Sequence, residues 1–349
     1  MTSDEFRALP DPKYYPQKIR LDLKLYDKKY KSIDSVSRVE YASEIEALTK
    51  AKGDMIVSVT SGYSDSNSQS VKVHSNGFLG EKESSSFSIG AEITVNDPDG
   101  GLPEDWYWVT TRFYDDLPSP DAISDEVFRR VQQKLGQKKI DSGAYDLILE
   151  NRVGGRVIRQ LMQPMNGSSL QQKNSWMDGL LGERVASEKL TIIDDPFIEK
   201  AMGSRFYDGD GLASQKRVMI EKGILKHFYI DNYYGRKLNM EPTSGGASNL
   251  VFEYGEKSLE GLISGVDKGI LVNGIIGGNS NSTTGDFSFG VMGLLIENGR
   301  ITQPVNEMNV SGSAKEFWRN LVEMGNDPNP YSSRKIPSMY FKDVFFSGI

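Results

Sequence analysis

Two kinds of hydrophobic spacing alternate along this chain, and together they predict a mixture of helices and strands. From Asp34 to about Ala51, the residues Val36, Val39, Ala42, Ile45 and Leu48 recur at helical spacing, which predicts an amphipathic helix capped by Asp34 or Ser35. Met55 to Tyr63, Ser70 to His74 and Ser84 to Val95 alternate apolar and polar positions, as half-buried strands do. The cluster Asn96-Asp-Pro-Asp-Gly-Gly101 predicts a turn, with a strand resuming over Asp105 to Asp115. A second helix is expected from Ser124, with Val127, Val131 and Leu135 on one face and Gly136 as its stop. Ahead of all these, residues 1–31 read as an extended lead-in, because Leu9-Pro-Asp-Pro-Lys-Tyr-Tyr-Pro16 is too rich in proline for a helix.

Beyond Asp141 the chain becomes richer in glycine and in strands. Tyr145 to Leu149 reads as a short strand, and Val153 to Met165 as a buried helix ending near Pro164. Val218-Met-Ile-Glu-Lys-Gly-Ile-Leu225 and Leu294-Leu-Ile-Glu-Asn-Gly-Arg-Ile301 share one pattern, an apolar run followed by Glu-X-Gly and another apolar residue. Each predicts a hairpin whose X-Gly turn needs positive φ, and the echo suggests pseudo-symmetric halves. Helices are expected at Leu259 to Val266 and Ala314 to Met324. The fold class is α+β, with a largely antiparallel, barrel-like or mixed-sheet C-terminal core and flanking helices. The expected division is 1–140, an N-terminal α/β region, and 141–349, a β-rich C-terminal domain.

Composition narrows the chemistry. The 349 residues are 38% hydrophobic and 26% charged, a globular balance. A net charge of −7 opposes nucleic-acid binding, since the basic clusters are short and scattered. The longest apolar stretch, Phe287 to Ile296, is too short to span a bilayer, and the N-terminus lacks the pattern of a signal peptide, so a cytoplasmic location is expected. Zero cysteines exclude disulfides, thiol nucleophiles and cysteine-held metals.

Few residues invite catalysis. His74 and His227 are far apart, and neither has a neighbour at metal-ligand spacing, so this chain is expected to carry no metal site and no catalytic residue of its own. Phe206-Tyr-Asp-Gly-Asp-Gly-Leu212 places Asp208 and Asp210 two residues apart but departs from a calcium loop, which leaves a tight turn feeding a strand at Arg217. Gly274 to Gly285 lacks the lysine of a phosphate-binding loop, and reads as a substrate-lining or interface loop. Asp194 and Asp195 form an adjacent carboxylate pair before Pro196.

The order of the segments resembles the TldD/PmbA family, also described as modulators of DNA gyrase. The resemblance rests on Leu9-Pro-Asp-Pro, Ser75-Asn-Gly-Phe78, Leu181-Gly-Glu-Arg-Val-Ala-Ser187, Thr191-Ile-Ile-Asp-Asp-Pro196, Phe206-Tyr-Asp-Gly-Asp-Gly211, Thr243-Ser-Gly-Gly246, Thr284-Gly-Asp-Phe287 and Gly290-Val-Met-Gly-Leu-Leu-Ile-Glu-Asn-Gly299. It runs from about Leu9 to the C-terminus. Family members carry roughly a hundred further residues upstream, the size of a domain.

In that family the TldD branch resembles a zinc metallopeptidase whose helix carries His-Glu-x-x-x-His, while the PmbA, or TldE, branch lacks the motif and pairs with TldD. The matching stretch here is Gly155-Arg-Val-Ile-Arg-Gln-Leu-Met-Gln-Pro164. Arg159 and Gln160 stand at the first ligand and the general base, and Pro164 at the second ligand. The resemblance therefore implies a non-catalytic PmbA-like subunit of a zinc peptidase complex that processes or degrades unfolded or small peptides, with the zinc in a TldD-like paralogue. A homodimer is expected when the chain is isolated. Asp208, Asp210, Gly245, Gly278, Thr284 and Gly285 are the expected channel or interface positions, and the Gly277–Gly285 loop is expected beside an unpaired strand facing a cleft. Two rival readings remain at this level: an autonomous hydrolase using Asp208, Asp210 or His227, and a gyrase-modulating regulator.

Overall fold

A computed structural model describes residues 4–17 and 21–349. The parts of the lead-in at 1–3 and 18–20 lie outside the described residues. Its first regular layer is α1 (Ser35–Lys50), the strands β1 (Ile56–Val73), β2 (Leu79–Val95) and β3 (Glu104–Thr111), and α2 (Pro120–Gln132). The three strands form an antiparallel sheet in the order β1-β2-β3. Both helices cover one face of it, over Ile89, Ala91, Ile93 and Val109. This layer is α+β, an antiparallel sheet with two helices on one face.

The helix caps follow the sequence, but the buried faces do not follow it throughout. The Asp34 carboxylate accepts from Ser37 N at 2.8 Å and starts α1. Ile45 and Thr49 are buried, whereas Val36 and Val39 are exposed. The cause is geometric. Each step of three residues falls short of a full turn by about 60°, so a run of such steps walks around the helix instead of staying on one face. The second helix begins at Pro120, earlier than expected, because Ser119 Oγ accepts from Ala122 N and caps it.

The polar stretch 64–69 is not a loop. β1 runs unbroken from Ile56 to Val73, in register with β2 down to Val73↔Leu79. Backbone pairing, not side-chain burial, holds its outer half, and most of those side chains are exposed.

The residues after Asp141 supply β4 (Gly143–Leu149), α3 (Asn151–Val157), α4 (Arg159–Met162), α5 (Gly167–Gln171), β5 (Ile192–Asp194), β6 (Arg217–Glu221), β7 (Ile224–Leu225), α6 (Asn232–Leu238), β8 (Leu250–Phe252) and α7 (Leu259–Ile263). They continue with β9 (Lys268–Ser280), β10 (Asp286–Glu297), β11 (Arg300–Ser313), α8 (Ala314–Phe317), β12 (Leu321–Met324), β13 (Arg334–Lys335) and β14 (Met339–Ser347). Strands β11, β10, β9, β4 and β14 lie side by side, and β14 returns to β11 through Val310↔Phe346, closing a five-stranded barrel. Only the β4–β9 contact in that ring is parallel. The interior is dense with aromatic residues: Phe317 stacks on Phe341 at 4.2 Å, and Trp318 meets the same ring edge-on. A second sheet has the order β13-β8-β5-β6-β7.

Both Glu-X-Gly hairpins form as two-residue turns, Glu221↔Ile224 and Glu297↔Arg300. Lys222, Gly223, Asn298 and Gly299 all have φ between 45° and 78°, as a type I′ turn requires. The echo ends there, because one hairpin belongs to the second sheet and the other to the barrel. The helix expected over Ala314 to Met324 stops early: after one α-turn and a 3₁₀ turn, Leu321–Met324 pairs with β14 as a strand. The lead-in makes 3₁₀ turns at Pro12–Tyr14 and Lys28–Ser32, and it packs on the C-terminal body through Ala213 N to Tyr14 O at 2.8 Å.

Candidate functional site

Helices α3 and α4 follow β4 and pack on the barrel core through Val157, Ile158 and Leu161. Gly154 sits where an added Cβ would lie 2.7 Å from Ile336 Cγ2, so the helix packs closely on the segment that leads into β14. The helical run ends at Pro164, which has no N–H to continue it.

Three positions on this helix decide its chemistry. Arg159 is exposed and has no ion-pair partner among the described residues. Gln160 is 3% exposed, and its Oε1 accepts from Trp318 Nε1 at 3.0 Å. The Gln160 carbonyl accepts from Trp176 Nε1 at 3.3 Å. Gln160 Nε2 finds no partner. Pro164 is buried, and its carbonyl accepts from Ser175 Oγ at 2.7 Å. A zinc ion needs lone pairs from imidazole, carboxylate or thiolate. A guanidinium, a committed amide and a pyrrolidine ring supply none at these three places, so the residues do not fit the metal.

Opposite this helix lies the Ser280–Gly285 segment. Arg159, Gln160, Gln163 and Pro164 on one side and Ser280–Ser282, Gly285 and Ala314 on the other line a narrow crevice. Trp176 N donates to Ser282 O at 2.8 Å, which ties the turn to the helix wall. Asn281 Oδ1 accepts from Thr283 N at 2.9 Å, and Thr284 Oγ1 accepts from Asp286 N at 3.2 Å.

The expected free loop over Gly277–Gly285 is therefore mostly strand. Gly277 to Ser280 pair with Gly290 to Phe287 across β9 and β10. Gly278 has φ +105°, and an added Cβ would meet Ser288 O at 2.0 Å. Only residues 281–285 turn, with Gly285 at φ +90°. The opposite edge of β9 has strand pairing only as far as Val272↔Leu149, and past it Arg156 Nη2 donates to Gly278 O at 3.1 Å.

A second group gathers Asp208, Asp210 and Gly245. Asp208 Oδ1 accepts from Asp210 N and Leu212 N, at 2.9 and 3.0 Å, and Oδ2 accepts from Gly245 N at 2.9 Å. Asp210 Oδ2 accepts from Asn232 N at 3.1 Å. These carboxylates staple a turn, with Gly211 at φ +85°. Burial, and then the charges of Asp210 and Asp208, push the nearby Asp231 carboxyl above its ordinary range. No hydrogen bond or ion pair among the described residues joins this group to Gln160 or Gly285, or to His227, whose Nδ1 lies 2.8 Å from Val218 O. Of the groups named for an autonomous hydrolase, Asp208 and Asp210 share one turn, and His227 has no hydrogen bond to either among the described residues.

Asp194 and Asp195 also separate, because consecutive strand residues face opposite ways. Burial raises the Asp194 carboxyl although it accepts from Ser248 N and Oγ, while Asp195 pairs outward with Lys216 at 2.8 Å. His74 closes the tip of the β1–β2 hairpin, with Nδ1 3.0 Å from Tyr15 Oη and its ring against Phe78. Trp176 and Trp318 are the residues that the sequence pattern did not single out, and nothing in their spacing points to Gln160. No helix in the described residues is long and apolar enough to cross a membrane.

Comparisons with known proteins cover almost the whole chain. The family profile described as the PmbA/TldA metallopeptidase central domain matches residues 10–135, and the profile of the C-terminal domain of the same name matches residues 142–348. The protein named Metalloprotease PmbA in Escherichia coli O157:H7 is 27% identical over 331 residues, covering 94% of this chain and 73% of its own length. A crystal structure from Bacteroides thetaiotaomicron, described as a candidate modulator of DNA gyrase, is 42% identical with a TM-score of 0.97, over 100% of this chain and 80% of that one. TldE from Thermococcus kodakarensis shares the fold, with a TM-score of 0.83 at 23% identity over 100% of this chain and 81% of its own.

Proposed function

This chain belongs to the PmbA/TldD metallopeptidase family, and we propose that within it the chain is a PmbA/TldE-like subunit without a catalytic centre. It acts in the cytoplasm beside a TldD-type paralogue that holds the zinc, and the pair encloses a chamber in which small or unfolded peptides are matured or degraded. The observation that carries this reading is Gln160. At the place of the general base, its side chain is buried with Oε1 accepting from Trp318, and an amide has no basic group to take a proton from water. Arg159 and Pro164, at the two ligand places, deepen the loss. In this role the helix that packs on the barrel core is a wall, and the exposed Arg159 is available to the partner or the peptide.

Activity measurements test the proposal. The pure chain should leave an unfolded peptide intact, and turnover should arise on adding a paralogue that carries His-Glu-x-x-x-His, with a chelator abolishing it. Chelator-insensitive turnover by the chain alone would contradict the assignment.

A further inference from the structure

The β1–β2 hairpin borders a groove that the role above leaves unused. It has a volume of about 520 Å³, lies between the lead-in at Asp22–Lys28 and β2 at Glu81–Glu83, and is closed by Phe113 and Arg205–Tyr207. Leu23, Leu25, Phe113, Phe206 and Tyr207 give it an apolar wall. We propose that this groove holds the C-terminal end of a peptide, adding it as a short strand to β2 and receiving its carboxylate at Lys82 and Arg205.

The strand edge is open there. β2 pairs with β3 only from Phe87 to Thr94, and just before that Ser85 N donates to Leu25 O at 3.0 Å. Backbone groups of a strand alternate sides with a period of two, so those of Glu83 and Glu81 face the same way as Ser85. No partner for them exists on that side among the described residues. A bound peptide could pair with about three residues of this edge before Gly80 meets Tyr207.

Neither cation is ion-paired. Lys82 and Arg205 have no carboxylate within ion-pair distance among the described residues. Arg205 donates Nη1 and Nη2 to Ala247 O and Gly246 O, and its buried Nε has no partner. Arg112 lies behind them, 7% exposed, bound only to the carbonyls of Ser85 and Met202, with its Nε also unpartnered. Partial burial, then the charges of Arg112 and Arg205, hold the Lys82 ammonium below its ordinary value.

The acids around the groove are mostly engaged. Asp22 accepts from Lys24 N, Asp27 from Lys29 N and Tyr114 N, and Glu83 from Gln69. Lys24 is paired with Glu199. Glu81 stands at the rim beside Tyr207, and Lys28 lines the far end. An anion with an apolar neighbour completes this arrangement. The open edge favours a peptide over a lipid carboxylate, because only a peptide backbone can use it.

The test needs no metal and no second subunit, so it stands or falls apart from the role proposed above. A fluorescein-labelled pentapeptide ending in leucine is titrated into the full chain by anisotropy, with its C-terminus free or amidated. The free acid should saturate, and both the amide and the variant Lys82→Met should bind at least about tenfold more weakly, with the melting temperature of the variant unchanged. Methylating alternate backbone amides of the peptide should weaken it as well. Equal binding of acid and amide, no effect of Lys82→Met, or no saturation by the free acid would overturn the proposal. So would decanoate displacing a peptide that is insensitive to methylation, which would make the ligand a lipid carboxylate.

Discussion

Gln160 shows how one side chain can remove a catalytic role and take up a structural one. Its amide bridges from the helix to Trp318 in the barrel, so Gln160→Ala should destabilise the fold by about 1–3 kcal/mol, read from denaturant midpoints, because the indole N–H is left buried and unpaired. Gln160→Glu should not create zinc binding, since both ligand places stay empty of donors. The glycines of the facing segment separate two explanations in the same way. Gly278→Ala would push a Cβ into Ser288 O, so stability and any activity of the complex should fall together. At Gly285 an added Cβ meets only ordinary contacts near 3.6 Å, and the positive φ alone should cost about 1 kcal/mol. A loss of peptide processing well beyond that small loss of melting temperature would mark Gly285 as part of the channel.

At the scale of elements, local chemistry was legible and long-range pairing was not. The two I′ hairpins could be read because their turn residues are adjacent and demand positive φ. Lys222 takes that conformation without the ease of asparagine, so Lys222→Asn should raise stability by about 0.5 kcal/mol in thermal unfolding. The middle of β1 could not be read, since its Ser-Asp-Ser-Asn-Ser run has no apolar alternation and is held by β2. Leu321–Met324 misled for a similar reason: a short apolar run fits a helix or a strand, and only β14 beside it decides. In α2, Glu126 accepts from both Arg129 and Arg130. Burial alone would raise its carboxyl, but these bonds outweigh burial and bring it down to about 2 from 4.5. A folded value below the unfolded one stabilises at pH above about 4.5, and that contribution is lost as the pH falls toward about 2. Acid titration of Glu126→Gln should therefore show a shallower loss of stability across that window than the unaltered chain.

The whole molecule depends on contacts that no local pattern announces. Barrel closure joins β11 to β14 at the C-terminal end of the chain, and the wall of the candidate site joins Gln160 to Trp318 across the length of the barrel domain. The family resemblance located the altered helix, but the structure alone shows that Gln160 and Pro164 are packed into the wall while Arg159 stays exposed beside them. This is the central claim, and zinc content tests it most directly. The untagged chain, purified without added chelator and titrated with zinc, should hold well under one equivalent after dialysis. One tightly bound zinc per chain, retained through dialysis and lost on mutating His227 or His74, would contradict the account.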